Sequence, residues 1–187
     1  PEARGRGALR RFVEALHRRI GSLFGGGDRP VAIFIEQNDP FRMSREAYAR
    51  DSAHSGMDQF DRLRIWSRMG AQVVDFPYVQ PPLSAGQEAD ATLIYSVMGV
   101  DAPSLPARVL RHHLAAFFGI SVRKGAPIEA APAASEQLRL LDELSARGAE
   151  VRLLDAAPQL AQIGDGAALL ASEDRPHDFR SALSMRA

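Results

Sequence analysis

Seven apolar residues near the start of the chain, Leu9, Phe12, Val13, Leu16, Ile20, Leu23 and Phe24, recur at helical spacing, and a nearly continuous apolar run, Val31-Ala-Ile-Phe-Ile-Glu36, follows within a few residues. The 3.6-residue period of the first stretch predicts an amphipathic helix from about Arg6 to Phe24, with Arg10, Arg11, Arg18 and Arg19 on its outer face. Gly25-Gly26-Gly27-Asp28 stops it. The second stretch is short and unbroken, which predicts a strand buried on both faces in the middle of a helix-covered sheet. A one-sided helix next to such a strand sets the class as α/β (α+β), a mixed sheet with flanking helices.

The helix opens on Arg4-Gly5-Arg6-Gly7-Ala8-Leu9. The first-turn amides of a helix lack partners, and the dipole adds partial positive charge there. Glycine lets a bulky anion approach the main chain, and two arginines add full charges. That chemistry suits a phosphate or pyrophosphate.

These residues, and the order of elements after them, resemble the GNAT superfamily of acyl-CoA-dependent N-acetyltransferases over residues 1–100. Motif A of that family reads Arg/Gln-x-x-Gly-x-Gly/Ala, and only Leu9 departs from it. The resemblance implies that the amides around Arg6, Gly7, Ala8 and Leu9, with Arg4 nearby, bind the pyrophosphate of acetyl-CoA (or another acyl-CoA), and that an amine is the acceptor. It makes Val31–Glu36 the fifth strand, with Glu36, Asn38 and Asp39 at its carboxyl end, and Glu36 or Asp39 the candidate base. It also implies four preceding amino-terminal strands that are missing here, so that a missing segment or partner chain would supply them. In the family helix that ends at Gly70 a tyrosine often protonates the leaving thiolate; Trp66 stands there. An indole cannot act as a general acid near neutral pH. Tyr78, the nearest phenol, becomes the substitute candidate.

Further along, Ser44 caps a short helix, Asp58 to Met69 forms a second main helix, and Ala71–Phe76 and Ala91–Met98 read as strands, which the family pairs antiparallel. Pro77, Pro81 and Pro82 make the stretch between them extended and unable to form a regular internal strand. Asp51, Ser52 and His54 are too close in sequence for a nucleophile triad. Gly99 to Pro106 reads as a loop, and Ala107 to Phe118 as a helix with Val109, Leu110, Leu114, Phe117 and Phe118 inside. His112 and His113 diverge by roughly 100° on that helix, so no metal site is expected. Residues 125–134 have linker composition. They separate a domain over 1–124 from a helical and irregular extension over 135–187, with a helix from Glu136 to Ala146 and a possible strand at Val151–Leu154.

Composition narrows the function classes. The chain has 187 residues, enough for one substantial core, and is 45% hydrophobic and 25% charged. Its 23 basic and 23 acidic residues balance, which disfavours a general nucleic-acid surface. Basic charge is nevertheless concentrated at residues 1–29, where many arginines face only Glu2, Glu14 and Asp28. No apolar run is long enough for a membrane span, and the absence of cysteine removes thiolate and disulfide chemistry. A cytoplasmic protein is expected.

Overall fold

The computed structural model describes residues 7–24, 31–84 and 86–184. Within them helices flank an antiparallel five-stranded sheet. The strands are β1 (Ile33–Asn38), β2 (Gln72–Val74), β3 (Leu93–Met98), β4 (Ser104–Pro106) and β5 (Glu150–Leu154), in spatial order β1-β3-β2-β5-β4. The helices are α1 (Ala8–Leu23), α2 (Arg45–Ser55), α3 (Gln59–Arg68), α4 (Ala107–Phe117), α5 (Pro132–Ala146), α6 (Ala157–Gln162), α7 (Gly166–Ala171) and α8 (Phe179–Ser184).

Local chemistry sets the element ends. Ser44 accepts the Ala47 amide to cap α2, and Asp58 accepts those of Phe60 and Asp61 to cap α3. Gly70, at φ +87, takes the left-handed conformation that ends α3. β2 and β3 pair antiparallel, with Gln72 opposite Val97 and Val73 opposite Ser96.

Strand alternation divides the core. On one face Val74, Tyr95, Val97, Val151 and Leu153 meet α4 and α5, burying Leu110, Leu114, Phe118 and Leu141 completely. Each such side chain contributes about 1.5–3 kcal/mol relative to exposure. On the other face Val73, Ile94 and Leu154 meet Phe41, Phe60, Leu160 and Phe179. α1 covers the near end of that second face, where Val13 packs with Ala71, Met98, Ile33 and Ile35.

Several expectations are corrected. The Val31–Glu36 run is not a central strand: β1 is an edge strand of the described sheet and most of it is half-buried. Asp39 N–H donates to Thr92 O at 2.9 Å, which assigns the ladder bonds with β3 to Ile33, Ile35 and Gln37. The main-chain groups of Phe34, Glu36 and Asn38 therefore point to the open side, where no described strand pairs with them. The apolar stripe of α1 is largely uncovered: Val13 is its only buried residue, while Phe12 and Phe24 are 63% and 81% exposed. The 99–106 loop contains β4, and Val109 lies outside the core. Residues 125–134 hold a 3₁₀ turn and the start of α5, with Ala131 and Ala134 in the same core as the sheet, and β5 joins β2 and β4.

Candidate active site

The ladder between β2 and β3 breaks after Val73–Ser96 and resumes as a single bridge at Gln80–Asp90. Six residues, 74–79, then face five, 91–95, so one strand carries an extra residue and bends away. Proline at 77, 81 and 82 keeps it from closing. A cavity of ≈ 120 Å³ fills the opening, lined by Phe76, Tyr78, Leu93 and Tyr95, with Asp39, Arg42 and Asp178 also on its wall; Glu36 does not line it.

Tyr78 projects onto the face that carries Glu36, and its hydroxyl donates a hydrogen bond to the Glu36 carboxylate. Glu36 stands opposite Tyr95 in the register, and the Tyr78 and Tyr95 rings stack at 4.2 Å. Tyr95 Oη lies 2.7 Å from His113 Nε2 on α4, and the His113 ring stacks on Phe34 at 3.7 Å. One connected group, Glu36–Tyr78–Tyr95–His113, thus runs from the edge strand β1 inward to the buried tyrosines of β3 and of the stretch after β2, and on to α4.

Burial raises the Glu36 carboxyl above the ordinary carboxylate value; the Tyr78 hydrogen bond opposes this and the charge of Asp90 adds to it. Burial, then the Glu36 hydrogen bond and charge, hold the Tyr78 phenol well above its usual range, so it keeps its proton. Burial and the Glu36 charge do the same to Tyr95. Burial lowers His113 to about 4, leaving a neutral imidazole at pH 7.

Of the two carboxylates considered as base, only Glu36 shares a face with Tyr78. Asp39 is buried in the opposite layer. One of its oxygens accepts the Phe41 amide at 2.9 Å, and the other accepts the Phe179 amide at 2.8 Å. It fastens the start of α8 to the end of β1, beside the Arg42–Asp178 ion pair at 3.2 Å. Burial pushes the Asp39 carboxyl up to about 6, against the lowering effect of those two amides. On Asp178 burial acts upward too, but hydrogen bonds from Ser181, His177 and Arg42 outweigh it and hold that carboxyl well below the usual range.

Asp39 and His113 give stability opposite pH dependences. Between its ordinary value and about 6 the folded chain holds the Asp39 proton that the unfolded chain releases, so stability falls with rising pH, by on the order of 3 kcal/mol in full. Between about 4 and 6.5 the unfolded chain holds the His113 proton, so stability rises. Asp39→Asn is therefore expected to steepen the rise in stability from pH 4 to 6, as read by urea unfolding at several pH values. An unchanged slope would contradict this.

Arg4 and Arg6 lie outside the described residues. Gly7 is left-handed at φ +68 and carries no side-chain cap, and no acidic residue occupies the first turn of α1. Gly7, Ala8 and Leu9 are exposed. Among the described residues, a Cβ on Gly7 would meet only Arg11 Nη1, at 3.7 Å. Further along α1, a Cβ on Gly99 would contact both His17 and Val31 O, so His17 lies by the amino end of β1. Val13 shares a cluster with Ala71 and Met98 against which Ile33 and Ile35 pack, so α1 lies on the face of β1 opposite Glu36. Trp66 packs in this layer beside Val13 and Met98.

Among the described residues no group of three or more His, Asp or Glu side chains could hold a metal ion, and no helix is long and apolar enough to cross a membrane. No protein-family model matches the chain, and no match was found among curated proteins or solved structures.

Proposed function

We propose that this chain is part of a GNAT-type N-acyltransferase that moves an acetyl or other acyl group from acyl-CoA to an amine in the cytoplasm. The observation that carries the reading is the hydrogen bond between Glu36 and Tyr78 at the carboxyl-terminal part of β1. Antiparallel pairing of β2 with β3 supports it, being what the resemblance implies for the sixth and seventh strands. The first turn of α1, on the face of β1 opposite Glu36, has no side-chain cap and offers its amides to a pyrophosphate. In this reading the open side of β1 is where a further strand would pair.

Glu36, with its raised affinity for protons, takes the proton from the attacking amine. Once Glu36 is protonated its charge and hydrogen bond no longer hold the Tyr78 proton, and Tyr78 passes that proton to the departing thiolate. The proton held on Glu36 then returns to the Tyr78 oxygen across their hydrogen bond. One N–H bond and one C–S bond break, one C–N bond and one S–H bond form, and both side chains regain their starting states.

Calorimetric titration of coenzyme A tests the binding half. Gly7→Asp brings an anion to the pyrophosphate position and is expected to weaken binding about tenfold or more, roughly 1.4 kcal/mol. No binding, or binding indifferent to that change, counts against the reading.

A second reading is an interaction fragment whose partner chain completes the sheet. It is favoured by the unpaired edge of β1 and by the exposure of Phe12, Leu23 and Phe24. A third, a module that binds acyl-CoA without turnover, is favoured by Trp66 at the usual tyrosine position.

A further inference from the structure

The departure of residues 75–79 from the sheet leaves a hydrogen-bonding problem at Val79. Phe76 and Tyr78 each donate to the carbonyl two residues back, to Val74 and Phe76, at 2.8 Å. Gln80 and Asp90 exchange main-chain bonds at 2.8 and 2.9 Å. Val79 lies between, with no strand against it, and buried main-chain groups are seldom left without partners.

Gln137, on α5 and only 4% exposed, supplies both partners. Its Oε1 accepts the Val79 N–H at 3.0 Å, and its Nε2 donates to Val79 O at 2.7 Å. The second Nε2 hydrogen goes to Ala133 O, one turn back on α5, also at 2.7 Å. A side-chain amide thus presents the donor and acceptor that a neighbouring strand would present, and its own orientation is fixed by its helix.

The Tyr78 ring is stacked on Tyr95 at 4.2 Å and on Phe118 at 6.4 Å. Stacked faces resist tilting more than sliding within the ring plane. The main chain one residue away must oppose sliding, and Gln137 holds that main chain.

We propose that Gln137 is a positioning residue for the Glu36–Tyr78 pair: by standing in for a strand at Val79 it sets where the Tyr78 hydroxyl meets the Glu36 carboxylate. This rests on the reading of Glu36 and Tyr78 as the reacting pair, and Gln137 itself touches neither reactant. Asp90, Tyr78 and Tyr95 are the other titratable groups that act on Glu36 or feel its charge.

The test follows the Glu36 carboxyl by carbon NMR through a pH titration of the full chain, without substrate. Wild type, Tyr78→Phe, Gln137→Met and the double variant are compared. Tyr78→Phe removes the hydrogen bond that lowers the Glu36 titration and is expected to move it upward. Gln137→Met is expected to move it the same way, and the double variant to match Tyr78→Phe alone. Gln137→Asn, whose amide is too short to span both Val79 groups, gives the same upward shift and serves if the Met variant does not fold. A Glu36 titration that stays at its wild-type position in the Gln137 variants, even with a lowered melting temperature, overturns the proposal; so does one unmoved by Tyr78→Phe. Because the readout needs no turnover, failure to find acyl transfer leaves this result standing on its own.

Discussion

Glu36→Gln is expected to lower kcat/KM for acyl transfer by roughly 10²–10⁴-fold while leaving the fold intact. Glutamine keeps the shape and still offers an oxygen to the Tyr78 hydroxyl, so the aromatic stack beneath it survives. It cannot take a proton from an attacking amine. The pH dependence gives a second signature. In wild type the rate is expected to fall as pH drops through the Glu36 titration, with that limb above the ordinary carboxylate value because burial raises the group. In Glu36→Gln the limb is absent. A variant that keeps both wild-type rate and acid limb would remove Glu36 from the chemistry.

Gly99→Ala is expected to cost about 2–4 kcal/mol of stability, a drop of roughly 5–15 °C in melting temperature for a chain of this size. Two effects add. Gly99 sits at φ +80, where a side chain brings strain of about 1–2 kcal/mol. Its Cβ would also lie 2.3 Å from Val31 O, a main-chain atom that yields only if the entry to β1 moves. Gly148→Ala is the matched control. It has φ +65 but no described residue within 4 Å of the added carbon, so it carries the strain alone, about 1–2 kcal/mol. Equal losses at the two sites by thermal or urea unfolding would contradict the close approach of β1 and the Gly99 turn.

Much of the fold was legible because local patterns state it directly. α1, α2, α3, β1, β2, β3 and β5 follow from periodicity and from caps such as Ser44 and Asp58. Misreadings arose where the deciding partner is remote. An apolar run reports that both faces of a strand are covered but not whether both edges are paired, so β1 read as central. β4 is three residues long, contains Pro106, and exists because β5 lies beside it, with Ser104 opposite Arg152. The alanine- and proline-rich stretch before α5 has linker composition, yet proline suits the first turn of a helix and small alanines allow close packing, so Ala131 and Ala134 enter the core. The face of α4 is set by Ala107, Leu110, Leu114 and Phe118, which leaves Val109 one position off.

The site divides in the same way. Glu36 and Tyr78 were accessible from their places at the ends of predicted strands. Their mutual contact was not, because it spans 42 residues. Asp39 drew attention for the same reason as Glu36, but alternation places it in the opposite layer, held by the Phe41 and Phe179 amides. His113 was weighed only as a metal ligand; its bond to Tyr95 joins α4 to β3. The alternation that pairs Glu36 with Tyr95 was the available clue to that second tyrosine.

The central claim is that Glu36 and Tyr78 serve one acyl transfer. It is tested most directly by incubating the protein with acetyl-CoA and a panel of amines, and counting acetylated amine and free thiol together. The account expects the two to form one for one, dependent on the amine, and to fall together in Glu36→Gln. Coenzyme A binding with no acetylated amine from any acceptor, or product formation indifferent to Glu36→Gln, would contradict it.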